Sequence, residues 1–201
     1  MIAILLNDAS FEQDIRELLM AFYPGETFTH KEEEAGEAEL IVRGVRDGNS
    51  FSLDVAPVKK EAVHFALIYP DFSNRFETKN EIKQTLYRLL SAQTGRELPW
   101  GTLTGIRPTK IALTKLYDGW TDEQIETYMR ETYFTSKEKI DLSIDVAERE
   151  RRLLSTIDYE NGYSLYVGIP FCPTTCLYCS FTSFPIVKWE KRMDLYTEAV
   201  F

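Results

Sequence analysis

Histidine is nearly missing from this 201-residue chain, which has only His30 and His64. Neither stands at ligand-like spacing from another metal-binding side chain, so surface or core packing is the expected use of each. No Ser/His/Asp pattern and no glycine-rich phosphate loop is present, and residues 1–155 carry no recognisable catalytic set. Basic charge is also short, with 23 Lys and Arg against 32 Asp and Glu, a net charge of −9. Nonspecific nucleic-acid binding needs basic surface to replace counterions, so nucleic acid is not an expected partner. No run of 18 apolar residues occurs, which excludes a conventional transmembrane helix. Met1 to Leu6 is apolar but too short for a signal peptide and lacks a basic lead, leaving the cytoplasm as the default location. Cysteine is scarce too. Three is an odd number, whereas a disulfide framework favours an even count spread along the chain.

What is present suits a globular protein. Hydrophobic residues make up 44% and charged residues 27%, and the length suffices for a real core. Ile2 to Leu6 reads as a buried strand. Ser10 with Gln13 offers a capping box for a helix whose face carries Phe11, Ile15, Leu18, Leu19 and Phe22, ended by Pro24-Gly25. The acidic run containing Glu32, Glu33, Glu34, Glu37 and Glu39 reads as a solvated loop. Strands follow at Leu40 to Val42, at the alternating Phe51, Leu53 and Val55 after an Asp47-Gly48 turn, and at Val63 to Tyr69.

Beyond this point the pattern turns helical. Thr78 and Glu81 suggest a capping box for a helix with Ile82, Leu86, Leu89 and Leu90 inside and Gly95 at its close. Pro108 fits the first turn of a helix reaching about Tyr117. Thr121 with Gln124 opens another, and Ser136 a last one carrying Ile140, Ile144, Ala147 and Leu154. Trp100 and Arg107, in the loop between, are expected to pack or to hinge. After the Asn161-Gly162 turn, Tyr163 to Ile169 reads as a strand, followed by a loop and a helix from about Lys188. The expected fold class is therefore an α+β N-terminal domain, a small sheet plus helices over 1–155, then a strand, loop and helix over 156–201.

All three cysteines fall in that last loop, at Cys172, Cys176 and Cys179, in the spacing C-x3-C-x2-C with Tyr178 before the third. In a reducing compartment, clustered thiols more often bind metal than pair. Two readings of the residues stay open. A structural zinc site wants four ligands, the fourth being His30, His64 or a carboxylate. A 4Fe-4S cluster on three cysteines leaves one iron open to bind and activate a small molecule.

The same motif resembles the radical S-adenosylmethionine (SAM) superfamily. The string Leu165-Tyr166-Val167-Gly168-Ile169-Pro170-Phe171-Cys172 resembles the oxygen-independent coproporphyrinogen III oxidase branch. The segment Leu98-Pro99-Trp100-Gly101-Thr102-Leu103-Thr104-Gly105-Ile106-Arg107-Pro108-Thr109-Lys110 is similar to the extra N-terminal domain of the coproporphyrinogen dehydrogenase subfamily of Gram-positive bacteria. The resemblance implies that Cys172, Cys176 and Cys179 hold a 4Fe-4S cluster. It places Tyr178 beside the adenine of SAM and Tyr166 at its methionine moiety. It implies oxidative decarboxylation of coproporphyrinogen III propionates to vinyls in haem biosynthesis, with a reductase or a flavodoxin- or ferredoxin-type protein as electron donor. Two departures bear on the substrate. The anaerobic oxidases have a further cysteine where this chain has Phe181, and a histidine where it has Gly168; some relatives with such changes are haem chaperones.

The resemblance also implies that 156–201 begins a radical SAM (β/α) barrel, with strand, cluster loop and first helix. A complete barrel of eight such units needs roughly 250 residues. The sequence accordingly reads as an N-terminal fragment, without a glycine-rich strand for SAM or a substrate pocket, and inactive alone.

Overall fold

The structure is a computed structural model describing residues 1–58, 63–105, 107–158 and 161–200. The chain divides into two compact units, Met1–Thr156 and Ile157–Phe201. The first is α+β. Its five-stranded mixed sheet has the order β2-β1-β3-β4-β5 and is formed by β1 (Ile2–Leu6), β2 (Phe28–Thr29), β3 (Leu40–Asp47), β4 (Ser50–Pro57) and β5 (His64–Ile68). β1 runs parallel to β2 and β3, and β3, β4 and β5 form an antiparallel meander. The Asp47-Gly48 turn, with Gly48 at φ 56°, sets a register in which Phe51, Leu53 and Val55 share one face with Leu40 and Val42.

That face is covered by α1 (Glu12–Phe22) and α2 (Arg75–Thr94). Ile15, Leu18, Leu19 and Phe22 meet Ile82, Leu86 and Leu90 in one core with the strands. Gly95 ends α2 in the left-handed region, as its place in the sequence predicts. Three further helices, α3 (Thr109–Tyr117), α4 (Asp122–Tyr133) and α5 (Lys137–Leu154), enclose a second core around Ala112, Leu113, Ile125, Met129 and Ile140. Both bonds of the Thr121–Gln124 capping box form, at 3.3 and 2.8 Å, and Ser136 caps α5.

Three expectations are corrected. The first helix has no side-chain cap of its own; Asp8, not Ser10, caps the short 3-10 turn that leads into it. Asp8 Oδ1 accepts from the Ser10 amide at 2.9 Å, opening a short 3-10 turn over Ala9–Phe11, while Gln13 turns outward to Glu17. The second helix is capped by Asn74 and starts a turn before Thr78, whose hydroxyl instead donates to the Asp71 carbonyl at 2.7 Å. In both cases an Asx side chain further upstream accepts from the free amides. The acidic run is not a plain loop. It contains a 3-10 helix, Glu32–Glu37, that buries Ala35, with carboxylates in the first turn where the helix dipole favours them. Glu32 holds Arg43 in a two-pronged ion pair.

The segment 98–105 lies against both helical layers. Gly101 has φ 57°, and a Cβ there would lie 1.9 Å from the Tyr133 carbonyl oxygen. The Thr102 amide donates to that same carbonyl at 2.7 Å, and Ser136 N donates to Pro99 O at 2.9 Å. On the other side Lys83, 7% exposed, donates to Thr104 Oγ1, which donates to Glu17 at 2.8 Å. Burial pushes the Lys83 ammonium below its usual range, against the pull of Asp14 and Glu17. Trp100 is half-buried near Lys139, and Arg107 pairs with Glu150 at 2.7 Å, so packing accounts for both. Ile106 lies outside the described residues.

Gly101→Ala is expected to destabilise the protein by about 3 kcal/mol in urea unfolding, because the left-handed backbone and the Tyr133 carbonyl both exclude a side chain. A loss below about 0.5 kcal/mol would show that the segment is not fixed there. Asp8 gives a pH-dependent test. Hydrogen bonds from Ser10, then Arg46, hold its carboxyl down to about 2. A depressed folded-state value means its charge stabilises the protein above the ordinary aspartate range, and that this is lost as pH falls through about 2. Asp8→Ala should therefore cost about 1 kcal/mol at pH 7 and less at pH 2. A cost independent of pH would contradict the assignment.

Candidate metal centre

The unit Ile157–Phe201 starts from a local turn. Asp158 Oδ1 accepts from the Asn161 backbone amide and side chain at 3.2 Å each. The strand expected from Tyr163 to Ile169 is not formed. A strand needs a ladder partner for its backbone groups, and among the described residues none pairs with 163–169. The apolar run has no regular structure and is largely exposed. The observed strands are shorter and later: β6 (Phe171–Cys172) pairs in parallel with β7 (Phe184–Pro185), Phe171 opposite Phe184. Phe184 N donates to Pro170 O at 2.7 Å. The helix expected from about Lys188 comes in pieces: α6 (Ile186–Trp189), a 3-10 turn (Glu190–Arg192) and α7 (Met193–Val200).

Aromatic contacts tie these pieces together. The Phe171 ring meets Tyr196 edge-on at 5.3 Å between centroids, and Trp189 lies 5.0 Å from Phe184 and 6.4 Å from Phe171. The edge-to-face Phe171–Tyr196 pair contributes about 1 kcal/mol beyond burial, and the two Trp189 pairs are tilted. The Tyr196 hydroxyl donates to the Gly168 carbonyl, closing a loop of 28 residues. Sequence reading placed Tyr196 only within the helix expected from about Lys188 and singled out neither Trp189 nor Phe184. No local signal identifies such a cluster, because its members meet only through the fold.

Cys172 sits in β6 beside this cluster and is half-buried, as is Cys179; Cys176 is exposed. All three thiols are free. The Cys179 amide donates to Cys176 O at 3.0 Å, a tight turn between the second and third cysteine. Among the described residues no three His, Cys, Asp or Glu side chains are gathered closely enough to hold a metal ion, so the loop collects the cysteines without converging their sulfurs. Tyr178 is 89% exposed and Tyr166 83% exposed, and neither packs into a core. A cavity of about 440 Å³ is lined by Tyr166, Gly168, Cys172, Phe181, Ser183 and Tyr196. It brings Tyr166 and Cys172 together and leaves Cys176, Cys179 and Tyr178 outside its wall. His30, the zinc alternative, contacts Glu12 and the Ile4 carbonyl in the first unit.

The donor set is three soft sulfur side chains within eight positions, a set whose chemistry fits an iron–sulfur cluster that keeps one iron free of protein ligands.

Among curated proteins, the chain is 36% identical over 137 residues to the oxygen-independent coproporphyrinogen-III oxidase-like protein HemZ of Bacillus subtilis (strain 168). The match takes in 66% of this chain and 27% of that protein, so the chain spans little more than a quarter of the relative's length. No family model matches the chain, and no solved structure does.

With no residue of 161–200 buried and no ladder partner for 163–169, backbone amides there should exchange with solvent at close to unfolded-chain rates. Amides of Ile82, Leu86 and Leu90 in α2 should be protected by several orders of magnitude. Hydrogen exchange followed by mass spectrometry measures both, and comparable protection in the two segments would contradict this description of the second unit.

Proposed function

We propose that this chain carries the cluster-binding segment of a radical SAM oxidoreductase, and that the whole protein oxidatively decarboxylates propionate side chains of coproporphyrinogen III to vinyls in cytoplasmic haem biosynthesis. The observation that carries this is the C-x3-C-x2-C loop in a chain 36% identical to HemZ over 137 residues. On this reading the segment 156–201 contributes the first β/α unit of a barrel. Cys172, Cys176 and Cys179 would hold a 4Fe-4S cluster, and Tyr166 and Tyr178 would contact SAM. When bound, cluster and SAM together supply one-electron radical chemistry that side chains cannot.

The chain's own residues have plainer tasks. The Phe171–Tyr196 contact and the Tyr196 hydrogen bond to Gly168 fix the strand end from which Cys172 projects. Pro170 and Pro173 bracket that strand end and restrict its backbone. Tyr166 and Tyr178 keep their ring faces free for a flat or apolar ligand part. A reductase or a flavodoxin- or ferredoxin-type donor would supply the electron. One feature favours a second reading, a haem-carrying relative: Gly168 and Phe181 stand where the anaerobic oxidases have histidine and cysteine.

Anaerobic reconstitution with iron and sulfide is expected to load about four irons per chain, and Cys176→Ala to abolish loading. One zinc per chain without sulfide would sink the cluster assignment. In the whole protein, vinyl porphyrin formed from coproporphyrinogen III supports the oxidase reading. Stoichiometric haem transfer without vinyl product would replace it with the haem-carrying one.

A further inference from the structure

Cys176 and Cys179 stand at the two ends of one tight turn. The Cys179 amide donates to the Cys176 carbonyl at 3.0 Å, with Leu177 and Tyr178 at the corners. Neither corner has a positive φ, so ordinary side chains occupy the turn without strain. A turn of this kind holds its first and last Cα atoms less than about 7 Å apart. A disulfide spans Cα atoms about 4.4–6.8 Å apart. The backbone thus brings these two cysteines within reach of a covalent bond to each other.

Cys172 is anchored elsewhere. It lies in β6 opposite Pro185 of β7, next to Phe171, whose ring meets Tyr196 and Trp189. It lines the cavity of about 440 Å³, whose wall includes neither Cys176 nor Cys179. Pro173 follows it directly and restricts the backbone that would have to swing for Cys172 to pair. The other two differ in access. Cys176 is exposed, whereas Cys179 is half-buried, with its Sγ 3.9 Å from the Phe181 carbonyl oxygen. Leu177 and Tyr178 between them are exposed, so the turn stands in solvent. An oxidant reaches Cys176 first, and Cys179 is the neighbour placed to displace it.

We propose that Cys176 and Cys179 form a reversible disulfide when the chain carries no cluster, leaving Cys172 as the free thiol. The oxidant is a low-molecular-weight disulfide. The Cys176 sulfur attacks one of its sulfurs, breaking the S–S bond, and the small thiol that leaves takes up the Cys176 proton. The Cys179 sulfur then attacks Cys176 in the mixed disulfide, and the second small thiol leaves with the Cys179 proton. Two cysteines are oxidised and one small disulfide is reduced to two thiols. Exposed disulfides of this kind are the readily reduced ones, so a thiol reductant reverses the step. The bond would withdraw two of the three ligands, making cluster loading wait on a reductant. That consequence rests on the ligand assignment proposed above; the pairing itself does not.

The test uses the 201-residue chain, prepared anaerobically without metal and then treated with oxidised glutathione. Iodoacetamide in denaturant counts the free thiols. Tandem mass spectrometry after chymotrypsin, which cuts at Leu177 and Tyr178, places the bond. Free thiols should fall from three per chain to one, Cys172. The peptides carrying Cys176 and Cys179 should stay joined until dithiothreitol is added. Cys172→Ser should form the same bond, while Cys176→Ser and Cys179→Ser should end as glutathione adducts. The proposal is overturned if the bond includes Cys172, if it joins two chains, or if glutathione adducts accumulate on the wild-type chain without an internal bond. Iron loading of the reduced chain is measured separately. A chain that loads iron but forms no Cys176–Cys179 bond refutes the pairing alone, and one that forms the bond but loads no iron refutes the cluster assignment alone.

Discussion

The contact between Gly101 and the end of α4 is the constraint on which the first unit turns. With no Cβ at residue 101, the chain lies against the Tyr133 carbonyl, and the Thr102 amide can donate to that oxygen. Two apolar cores, one under the sheet and one among α3, α4 and α5, are otherwise bridged by Gln84 of α2, which donates to the Thr132 carbonyl of α4 at 2.8 Å, and by the Tyr87–Phe134 contact. The 98–105 segment joins them through directional bonds. It donates to α4 on one side, and through Thr104 it completes the buried chain from Lys83 to Glu17 on the other. A buried ammonium is costly unless it is hydrogen-bonded and has opposite charge nearby, and here Thr104, Glu17 and Asp14 meet that requirement. Phe134, which closes α4 at this junction, sits in the left-handed region at φ 58°.

Sequence patterns revealed the elements of this unit better than their ends. The five-residue run Ile2–Leu6, the alternation in β4 and the stripe of Ile82, Leu86 and Leu90 are strictly local periodicities, and the structure has them all. Helix starts were legible in part. Thr121 and Ser136 act as caps. Ser10 and Thr78 do not, since Asp8 and Asn74 accept the amides instead, and periodicity cannot say which upstream oxygen reaches them first. β2 was invisible for another reason: it is two residues long and exists only because β1 lies beside it.

The cysteine loop shows the opposite balance. Its chemical character is carried by residue type and spacing over eight positions, so it can be read without any fold. The strand expected before it depends on neighbours remote in sequence. Tyr163 to Ile169 has the composition of a buried strand, yet composition cannot supply a ladder, and without one the apolar run stays exposed.

That contrast bears on how the loop could be ordered. Cys172 is tethered by the β6–β7 pair and by aromatic contacts to Trp189 and Tyr196, whereas Cys176 and Cys179 are restrained mainly by one backbone bond to each other. No residue of 161–200 is fully buried, so apolar burial there offsets little of the entropy of fixing all three sulfurs. Under the proposed reading, ligation itself must supply that free energy, as it does where metal binding and folding are a single event. The anchored first cysteine then lowers the entropic cost of recruiting the other two, because the remaining loop to be closed is only seven residues long, from 173 to 179. The short spacing and the aromatic anchor thus serve the same end. Each reduces what must be ordered when the thiolates converge, and neither requires the sulfurs to be gathered beforehand.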